Sequence, residues 1–574
     1  MIKKEISKIF RDMADLLEVK GDNPFRIRAY RRASQSVEGI SSDVSKMTEK
    51  ELVSIPGIGK DLAGKIKEYS ETGKIGAWED LKRDVPEGII DIISIPGVGP
   101  RTAKLIFDEL GISTLEGLES ALEKGRLRGI GHIKDKTEQN ILKGIKLIKK
   151  GRERVSIGLA LPLAEGIVRY LKEEPYVDQI SVAGSIRRWK ESVKDIDILV
   201  TSDEPSKVMH RFVSMAGVSD IIAKGSTKSS VYMNDGIQVD LRVVDDACFG
   251  AALQYFTGSK EHNVRLRELA VKKKLKINEY GVFDAKTEKF LGGRNEEDIY
   301  KVLDLKYVEP ELRENTGEIV ASAEGTLPKL IEVKDIKGDL HVHSDWSDGG
   351  HSIEDIAMAA SRRGYKYIAL TDHSKGLGIA NGLTEERILA QIKEIDKVNK
   401  QMNDFTVLKG LEVDIRSDLT LDIRDEVLSR LDIVVASIHS GFGQSKEKIT
   451  KRLISAMENP YVDVIAHPTG RLIGKRDAYE VDMDEVLKAA KRTGAVIEIN
   501  AFPARLDLND IHTKEAKKLG VKLAISTDTH IEDHFDYMKY GVAVARRGWL
   551  EKKDVINTKS AKALIDHLKK KRKD

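Results

Sequence analysis

Cysteine is nearly absent: Cys248 is the one thiol in 574 residues. An intramolecular disulfide framework is thereby excluded, and the chain fits a reducing, cytoplasmic compartment with Cys248 as a small core residue. Long apolar runs are missing too. No stretch approaches the roughly 20 residues that span a bilayer, and the N-terminus, MIKKEISKIFRDMADLLE, lacks the uninterrupted apolar segment of a signal peptide. Its Ile2, Ile6, Ile9, Met13, Leu16 and Leu17 instead recur at helical spacing, the pattern of a soluble amphipathic helix. Nor is charge of one sign in excess, since 96 Lys and Arg against 93 Asp and Glu leave +3. A global polycation is excluded, so any contact with nucleic acid must come from local basic patches and backbone geometry. The length predicts roughly three to five domains.

What is present is most informative in the last 240 residues or so. Seven short apolar runs end in, or run straight into, polar residues: GDLHVHS (His341, His343, then Asp348), YIALTDH (His373), VLKGLEV (Glu412), IVVASIH (His439), VDVIAH (His467), AVIEIN (Asn500) and LAISTDTH (Asp528, His530). Stretches of helical period such as Ile353 to Arg363 and Glu485 to Thr493 separate them, which predicts repeated βα units closing into a barrel. In such a barrel the residues at the C-terminal strand ends converge on one mouth. Imidazole with carboxylate suits Zn²⁺, Mn²⁺ or Fe²⁺. Six histidines and three carboxylates are too many for one ion, and two or three clustered ions would clamp a phosphate and activate a water. A lone His after a strand is commonly structural; six of 13 histidines at strand ends are not a coincidence of that kind.

Two other patterns precede the barrel. IPGIGKDLAGKIKEY (55–69) and IPGVGPRTAKLIFDEL (95–110) are copies of one unit, and LRGIGHIKDKTEQNILKGI (127–145) is a weaker third. The glycine pairs, Gly57 with Gly59 and Gly97 with Gly99, allow a tight turn whose N–H groups face outward at a helix start, where a DNA phosphate can be gripped without sequence readout. FRIRAYRR (25–32) adds a cationic face with an interleaved aromatic. Further on, VAGSIRRWKESVKDIDILV (182–200) sets Asp195 and Asp197 one residue apart on a strand, hence on one face, and IQVDLRVV supplies Asp240 within another strand. A carboxylate inside a strand needs a partner or a metal. Three carboxylates that could share two Mg²⁺ ions, with the turn at Gly184 and Ser185 to cradle phosphates and Arg188 as a charge partner, are the minimum for nucleotidyl transfer.

These strings carry two family resemblances. DLHVHSDWSDG, LTDHS, GLEVDI, SIH, AHP and STDTH resemble the polymerase and histidinol phosphatase (PHP) domain, a distorted seven-stranded barrel with a trinuclear metal site, and all nine ligand positions are filled: His341, His343, Asp348, His373, Glu412, His439, His467, Asp528 and His530. The resemblance implies one metal among His341, His343, Glu412 and Asp528, a second reached through Glu412 with His373 or His439, and a third drawing on Asp348, His467 and His530. Residues 1 to 318 resemble the family X DNA polymerases of the polymerase beta type. By that resemblance Gly184, Ser185 and Arg188 contact a triphosphate, Asp195, Asp197 and Asp240 form the catalytic metal-binding triad, Tyr255, Phe256 and Gly258 line the sugar pocket, and Asn263 reaches the base. Lys194 stands where the family has Gly, Gln238 where it often has Arg, and Lys260 where it has an acidic residue, which puts nucleotide selectivity in doubt. Lys65 matches the family's Schiff-base lysine for 5′-deoxyribose phosphate removal, although Asp61 replaces a basic neighbour; a plain phosphate contact is the alternative.

The expected fold is multidomain: an all-α helix-hairpin-helix N-terminal region, an α/β nucleotidyltransferase palm and a C-terminal distorted (βα)7 TIM-like barrel. The expected boundaries are 1–80 and 81–150 for two helical subdomains, 151–250 for the palm, 251–318 for a nucleotide-selecting subdomain, 319–337 for a linker without a Gly/Ser tract, and 338–574 for the barrel, with a defined but movable relation between the halves. The tail KKKRKD (569–574) reads as a solvated end. The expected protein is a monomer that fills gapped or nicked DNA with deoxynucleoside triphosphates, using two Mg²⁺ or Mn²⁺. It would process 3′ ends with two or three Zn²⁺, Mn²⁺ or Fe²⁺ in the barrel, as a 3′-5′ exonuclease, a 3′ phosphatase or phosphodiesterase, or an abasic-site endonuclease, in base excision repair. A purely structural barrel, or a polymerase half that serves only as a DNA-binding platform, are the competing readings.

Overall fold

In the computed structural model residues 154–572 are described without a break; before them the described residues are 2–39, 44, 47–55, 57–86, 88–93, 95, 98–128, 130, 133, 137–139, 141, 142, 144 and 145. The chain divides into two compact units, one formed by residues 1–151 and one holding most of residues 152–574.

The first unit is helical. The predicted amphipathic helix is Ile2–Lys20, which buries Ile6, Phe10, Met13, Leu16 and Leu17. The two hairpin copies carry matching caps. Gly59 (φ −84°, ψ 172°) opens Lys60–Thr72 and Gly99 (φ −88°, ψ 173°) opens Pro100–Leu110; left-handed Gly73 and Gly111 close them. Pro100 occupies the first turn, where no N–H is missed. Gly57, at φ +92°, sits against Arg32 and Ser36, so a Cβ there would be strained twice over. Gly97 and the glycines of the third copy, Gly129 and Gly131, lie outside the described residues.

In the second unit a five-stranded sheet of β1 (Gln179–Val182), β2 (Asp195–Thr201), β3 (Val218–Lys224), β4 (Lys228–Met233) and β5 (Gln238–Val243) runs in the order β1-β2-β5-β4-β3. Only the β2–β5 pair is parallel. Alternation on β2 sends Ile196, Ile198 and Val200 into the core, where they meet the helices Ile157–Lys172 and Pro205–Val213, and leaves Asp195 and Asp197 half-buried on the other face. Beyond it, the helices Phe249–Thr257 and Lys260–Lys272 lead to an antiparallel meander of β6 (Leu275–Asn278), β7 (Gly281–Asp284) and β8 (Phe290–Gly292).

The barrel follows in sequence order: β9 (Gly338–Val342), β10 (Tyr367–Leu370), β11 (Thr406–Asp414), β12 (Ile433–Ser437), β13 (Val464–Ile465), β14 (Val496–Asn500) and β15 (Leu523–Ser526), all parallel. Parallel strands covered on both faces are mainly apolar, and against that background Asp339, His341, Glu412, Asp414, Glu498 and Asn500 stand out as buried polar exceptions. The seam between first and last strands is closed by the Thr529 N–H donating to His341 O (3.1 Å) and the His343 N–H donating to Thr529 O (2.8 Å). Helix Ala561–Lys571 seats Leu564 and Leu568 among Leu340, Tyr367, Ile433 and Val496, early in their strands and away from the ligand end.

The segment expected to be a plain connector is structured. Helix Glu318–Glu324 opens it, Leu330 bridges to Glu551, and the Ile331 N–H donates to Leu550 O. One apolar cluster runs from Ile157 and Val239 of the palm through Ile331 to Ile525 and Val555 of the barrel, so the two share a core.

Candidate metal centres

In the palm, register decides the geometry. Asp197 on β2 lies directly opposite Asp240 on β5, and Asp195 opposite Gln238. All three aspartates of the predicted triad therefore share one face. Burial, and then the charges of Asp195 and Asp240, push the Asp197 carboxyl up to about 7. A buried carboxylate beside two others is a site short of positive charge, and this set of oxygens suits Mg²⁺ or Mn²⁺. Gly184 (φ +65°) approaches so closely that a Cβ would collide with Asp197 Oδ2, and the Ala183 N–H donates to Asp197 O at 2.8 Å. Ser185 sits in the short helix Gly184–Arg187 that follows. Gln238 Nε2 donates to Asp240 Oδ1 (2.8 Å) and Lys228 Nζ lies 3.9 Å from Asp240 Oδ2, so the position where the family often has Arg here touches the triad directly. Lys194 is exposed.

The remaining predicted nucleotide residues gather beside this face. Arg188 Nε is 3.0 Å from Glu314 Oε1, and its guanidinium also donates to Thr257 O, next to left-handed Gly258. Tyr255 and Phe256 stand edge to face at 5.2 Å, with the Arg242 guanidinium 4.5 Å above Phe256. Asn263 is buried; its Nδ2 donates to Tyr255 O and its Oδ1 accepts from Gln254 Nε2, both at 2.7 Å. Lys260 opens the helix that carries Asn263. In the helical unit, Lys65 Nζ pairs with Asp61 Oδ1 at 2.5 Å and lies 5.9 Å from the Tyr30 ring. The acidic substitution at Asp61 thus engages the very amine that a Schiff base would need.

In the barrel all nine predicted ligands converge. Glu412 is the hub, fully buried with five histidines around its carboxylate: His373 at 2.7 Å, His467 at 3.2 Å, His341 and His439 at 3.4 Å and His343 at 3.8 Å. Asp348 reaches His530 (3.5 Å) and His373 (3.6 Å), while Asp528 reaches His343 (3.3 Å) and His341 (3.7 Å). Three ligand groups emerge, each with its atoms within 4.8 Å: His343, Asp348, His373 and His530; His341, His343 and Asp528; His373, Glu412 and His439. The expected grouping of Asp348 with His467 and His530 is corrected in one respect. His467 turns to Glu412, and His343 and His373 complete the Asp348 and His530 group, because β13 lies on the far side of the barrel from the β9 seam.

The buried atoms His341 Nε2 and both ring nitrogens of His343 have no hydrogen-bond partner, and His373 Nδ1 and Glu412 Oε2, though 2.7 Å apart, are not aligned as one. Lone pairs so placed, close to one another yet unsatisfied, fit metal ions. Burial alone would raise Glu412 and Asp528, but the surrounding histidines hold both carboxyls well below their usual range. Burial, then the charges of His530 and His373, push His343 down to about 3, whereas for His439 and His530 the carboxylates outweigh burial and raise each to about 9. His467 (φ +28°) and Asp528 (φ +56°) hold left-handed conformations that β-carbon residues rarely adopt, strain of the kind that collects at functional sites.

Sequence reading missed the residues behind these ligands. Glu498 accepts from His341 Nδ1 (2.8 Å) and from the His467 N–H (2.8 Å), fixing which imidazole nitrogen faces the site. Its signal was available: a carboxylate inside AVIEIN is the same anomaly that exposes Asp240. Asp414 beside His439 (3.5 Å) and Arg505 beside Asp528 (3.3 Å) have no comparable sequence signal.

Known families match four parts of the chain. Residues 1–75 match the helix-hairpin-helix domain, 89–147 the SAM-like helix-hairpin-helix tandem, 252–314 the DNA polymerase beta thumb and 339–502 the PHP domain. A DNA polymerase/3′-5′ exonuclease PolX of Bacillus subtilis (strain 168) is 41% identical over 571 residues, covering 99% of this chain and 100% of that protein. A probable phosphatase of Thermoanaerobacter sp. (strain X514) is 30% identical over 247 residues, 41% of this chain and 95% of its own length. One of Acetivibrio thermocellus is 33% identical over 203 residues, 34% of this chain and 79% of its own length. The family matches, and a relative 41% identical over nearly the whole of both chains, lead to one conclusion: the chain belongs to the family X DNA polymerases that carry a C-terminal PHP domain.

Proposed function

We propose that the protein fills short gaps in DNA and trims the 3′ ends it extends, acting as a monomer in the cytoplasm within base excision repair. The observation that carries this reading is the coexistence of the Asp195, Asp197 and Asp240 face with the nine-ligand barrel cluster, two carboxylate-bearing sets that share no ligand residue. The name of the Bacillus subtilis relative joins the same two activities.

In the palm, Asp195, Asp197 and Asp240 would hold two Mg²⁺ or Mn²⁺ ions, which when bound supply charge neutralisation for a triphosphate and activation of a 3′ hydroxyl. The backbone turn at Gly184 and Ser185 brings N–H groups to the phosphates, and Arg188 adds a cation. Tyr255, Phe256 and Gly258 shape the sugar pocket, and Asn263, held by Gln254 and Tyr255, is oriented toward the base. The glycine turns of the hairpins, including Gly57, Gly59 and Gly99, hold the DNA backbone, with Lys65 as a phosphate contact. In the barrel, the six histidines with Asp348, Glu412 and Asp528 would hold two or three Zn²⁺, Mn²⁺ or Fe²⁺ ions, which supply a water nucleophile and a clamp for the scissile phosphate. Glu498 orients His341, and Arg505 adds positive charge beside Asp528.

The test is a one-nucleotide gap with a 3′ hydroxyl and the same gap with a 3′ phosphate, each with deoxynucleoside triphosphates and Mn²⁺. Direct extension of the first and extension of the second only after phosphate release support the reading. Extension of the first with no processing of any blocked or mismatched 3′ end would reduce the barrel to a scaffold.

A further inference from the structure

The palm's nucleotide loop is held from behind by the barrel. Helix Met538–Arg547 of the barrel ends in two arginines that face the polymerase half. Arg546 Nε donates to Glu311 Oε1 at 2.7 Å. Arg547 is 7% exposed, and its guanidinium makes four hydrogen bonds: Nε and Nη2 go to Asp510 Oδ2 (2.9 and 2.5 Å), and Nη1 goes to the backbone O of Arg188 (2.7 Å) and to Glu314 Oε1 (3.0 Å). Glu314 Oε1 in turn accepts from Arg188 Nε at 3.0 Å. One barrel side chain therefore fixes both the main chain of Arg188 and the carboxylate that aims its side chain.

Three neighbouring contacts say that this is a seat and not a chance touch. Trp189, held at φ +55°, stands edge to face with Tyr540 of the same barrel helix at 5.9 Å. Glu191 pairs with Arg471 at 2.8 Å, and Arg471 also donates to Arg505 O in the loop beside Asp528. Gly158 lies so near Pro503 that a Cβ would overlap its ring. The loop from Arg188 to Glu191 is thus gripped by the barrel at three successive points, and a left-handed Trp persists only where its surroundings over-determine it.

We infer that Arg547 is a positioning residue for the polymerase centre: through Glu314 and the Arg188 carbonyl it holds the Arg188 guanidinium where an incoming triphosphate needs it. The inference rests on the proposed role of Arg188 in nucleotide binding. A cation aimed in advance loses less freedom on binding an anion, so the benefit falls on nucleotide affinity. It makes the barrel a working part of the polymerase site, whatever the barrel itself hydrolyses.

The experiment compares full-length Arg547→Ala, Arg547→Lys and Asp510→Asn on a one-nucleotide gap. Arg547→Ala is expected to raise the KM for the deoxynucleoside triphosphate by about tenfold, the loss of one charge-assisted hydrogen bond, with kcat changed less. Arg547→Lys should recover part of that loss through Glu314. Asp510→Asn weakens the anchor of Arg547 but leaves an oxygen acceptor and the link to Arg188 in place, so it should raise KM less than Arg547→Ala. Barrel integrity is followed by hydrolysis of a single-stranded 3′ end and by thermal melting. An unchanged KM in a folded Arg547→Ala protein overturns the inference, as does an equal KM change in Asp510→Asn. Failure of the wild-type protein to extend the gap would instead overturn the polymerase reading.

Discussion

The palm and the barrel both assemble carboxylates for phosphate chemistry, and they treat the resulting charge in opposite ways. In the palm, half-buried aspartates on two paired strands face one another with no histidine among them, and Asp197 answers by rising to about 7. In the barrel, buried carboxylates sit among six imidazoles, and Glu412 and Asp528 fall well below their usual range. Among the described residues, the ligand groups gathered within 4.8 Å are all in the barrel. The palm is thus a face short of positive charge. The barrel sets its carboxylates among imidazoles, a donor set that fits metal ions.

The largest expected break in this comparison is the separation of the two centres. Asp240→Ala should cut gap filling by on the order of a thousandfold or more while leaving 3′-end hydrolysis intact, because removing a ligand to a catalytic ion forfeits several kcal/mol of charge stabilisation. His341→Ala or Asp528→Ala should do the reverse. A folded variant that lost both activities would refute two independent sites. Next, Glu498→Gln, which leaves every ligand in place, should lower barrel metal affinity by about 10- to 100-fold. Elemental analysis after dialysis reads this directly, and metal content equal to wild type would remove Glu498 from the site.

A smaller effect follows from Asp197. Its carboxyl lies at about 7 in the fold against an ordinary 3.8, so the folded protein keeps a proton that the unfolded chain has released. In the metal-free protein that stabilisation is present below about pH 4 and is lost as the pH rises through about 7. Mg²⁺ must displace the same proton, so the Mg²⁺ concentration needed for half-maximal gap filling should rise as the pH falls from about 8 to about 6. A flat Mg²⁺ requirement would show that Asp197 is already ionised. The smallest change is expected from Lys65→Ala: a few-fold weaker binding of gapped DNA and a salt slope shallower by about one, as for a single phosphate contact. Complete loss of 5′-deoxyribose phosphate release in that variant would restore the Schiff-base role that the Asp61 pair argues against.

Much of this was legible because the informative residues break local rules. Asp195, Asp197 and Asp240 are charges inside apolar strands, and the histidines stand where buried strands stop; periodicity alone reveals both. The helix-hairpin-helix pair was visible as an internal repeat, and its caps at Gly59 and Gly99 agree within a few degrees. The metal grouping was not legible in the same way. That His467 turns to Glu412 and away from Asp348 depends on where β13 falls around the barrel, which chain distance does not encode. The segment 319–337 reads as a connector because its Leu330 and Ile331 follow neither period, yet they pair with the barrel's Glu551 and Leu550. Arg546 and Arg547 look like an ordinary basic helix end, and only the fold reveals that they face the polymerase half.

The seam between the first and last barrel strands has a consequence in time. Asp528 and His530 follow directly on the last strand, and Thr529 between them is what zips this strand end to His341 and His343. A ribosome has translated the entire polymerase half, and most of the barrel, before those residues exist. On the proposed function, a growing chain would carry its hairpins for much of its synthesis before the ligand set of the barrel is complete.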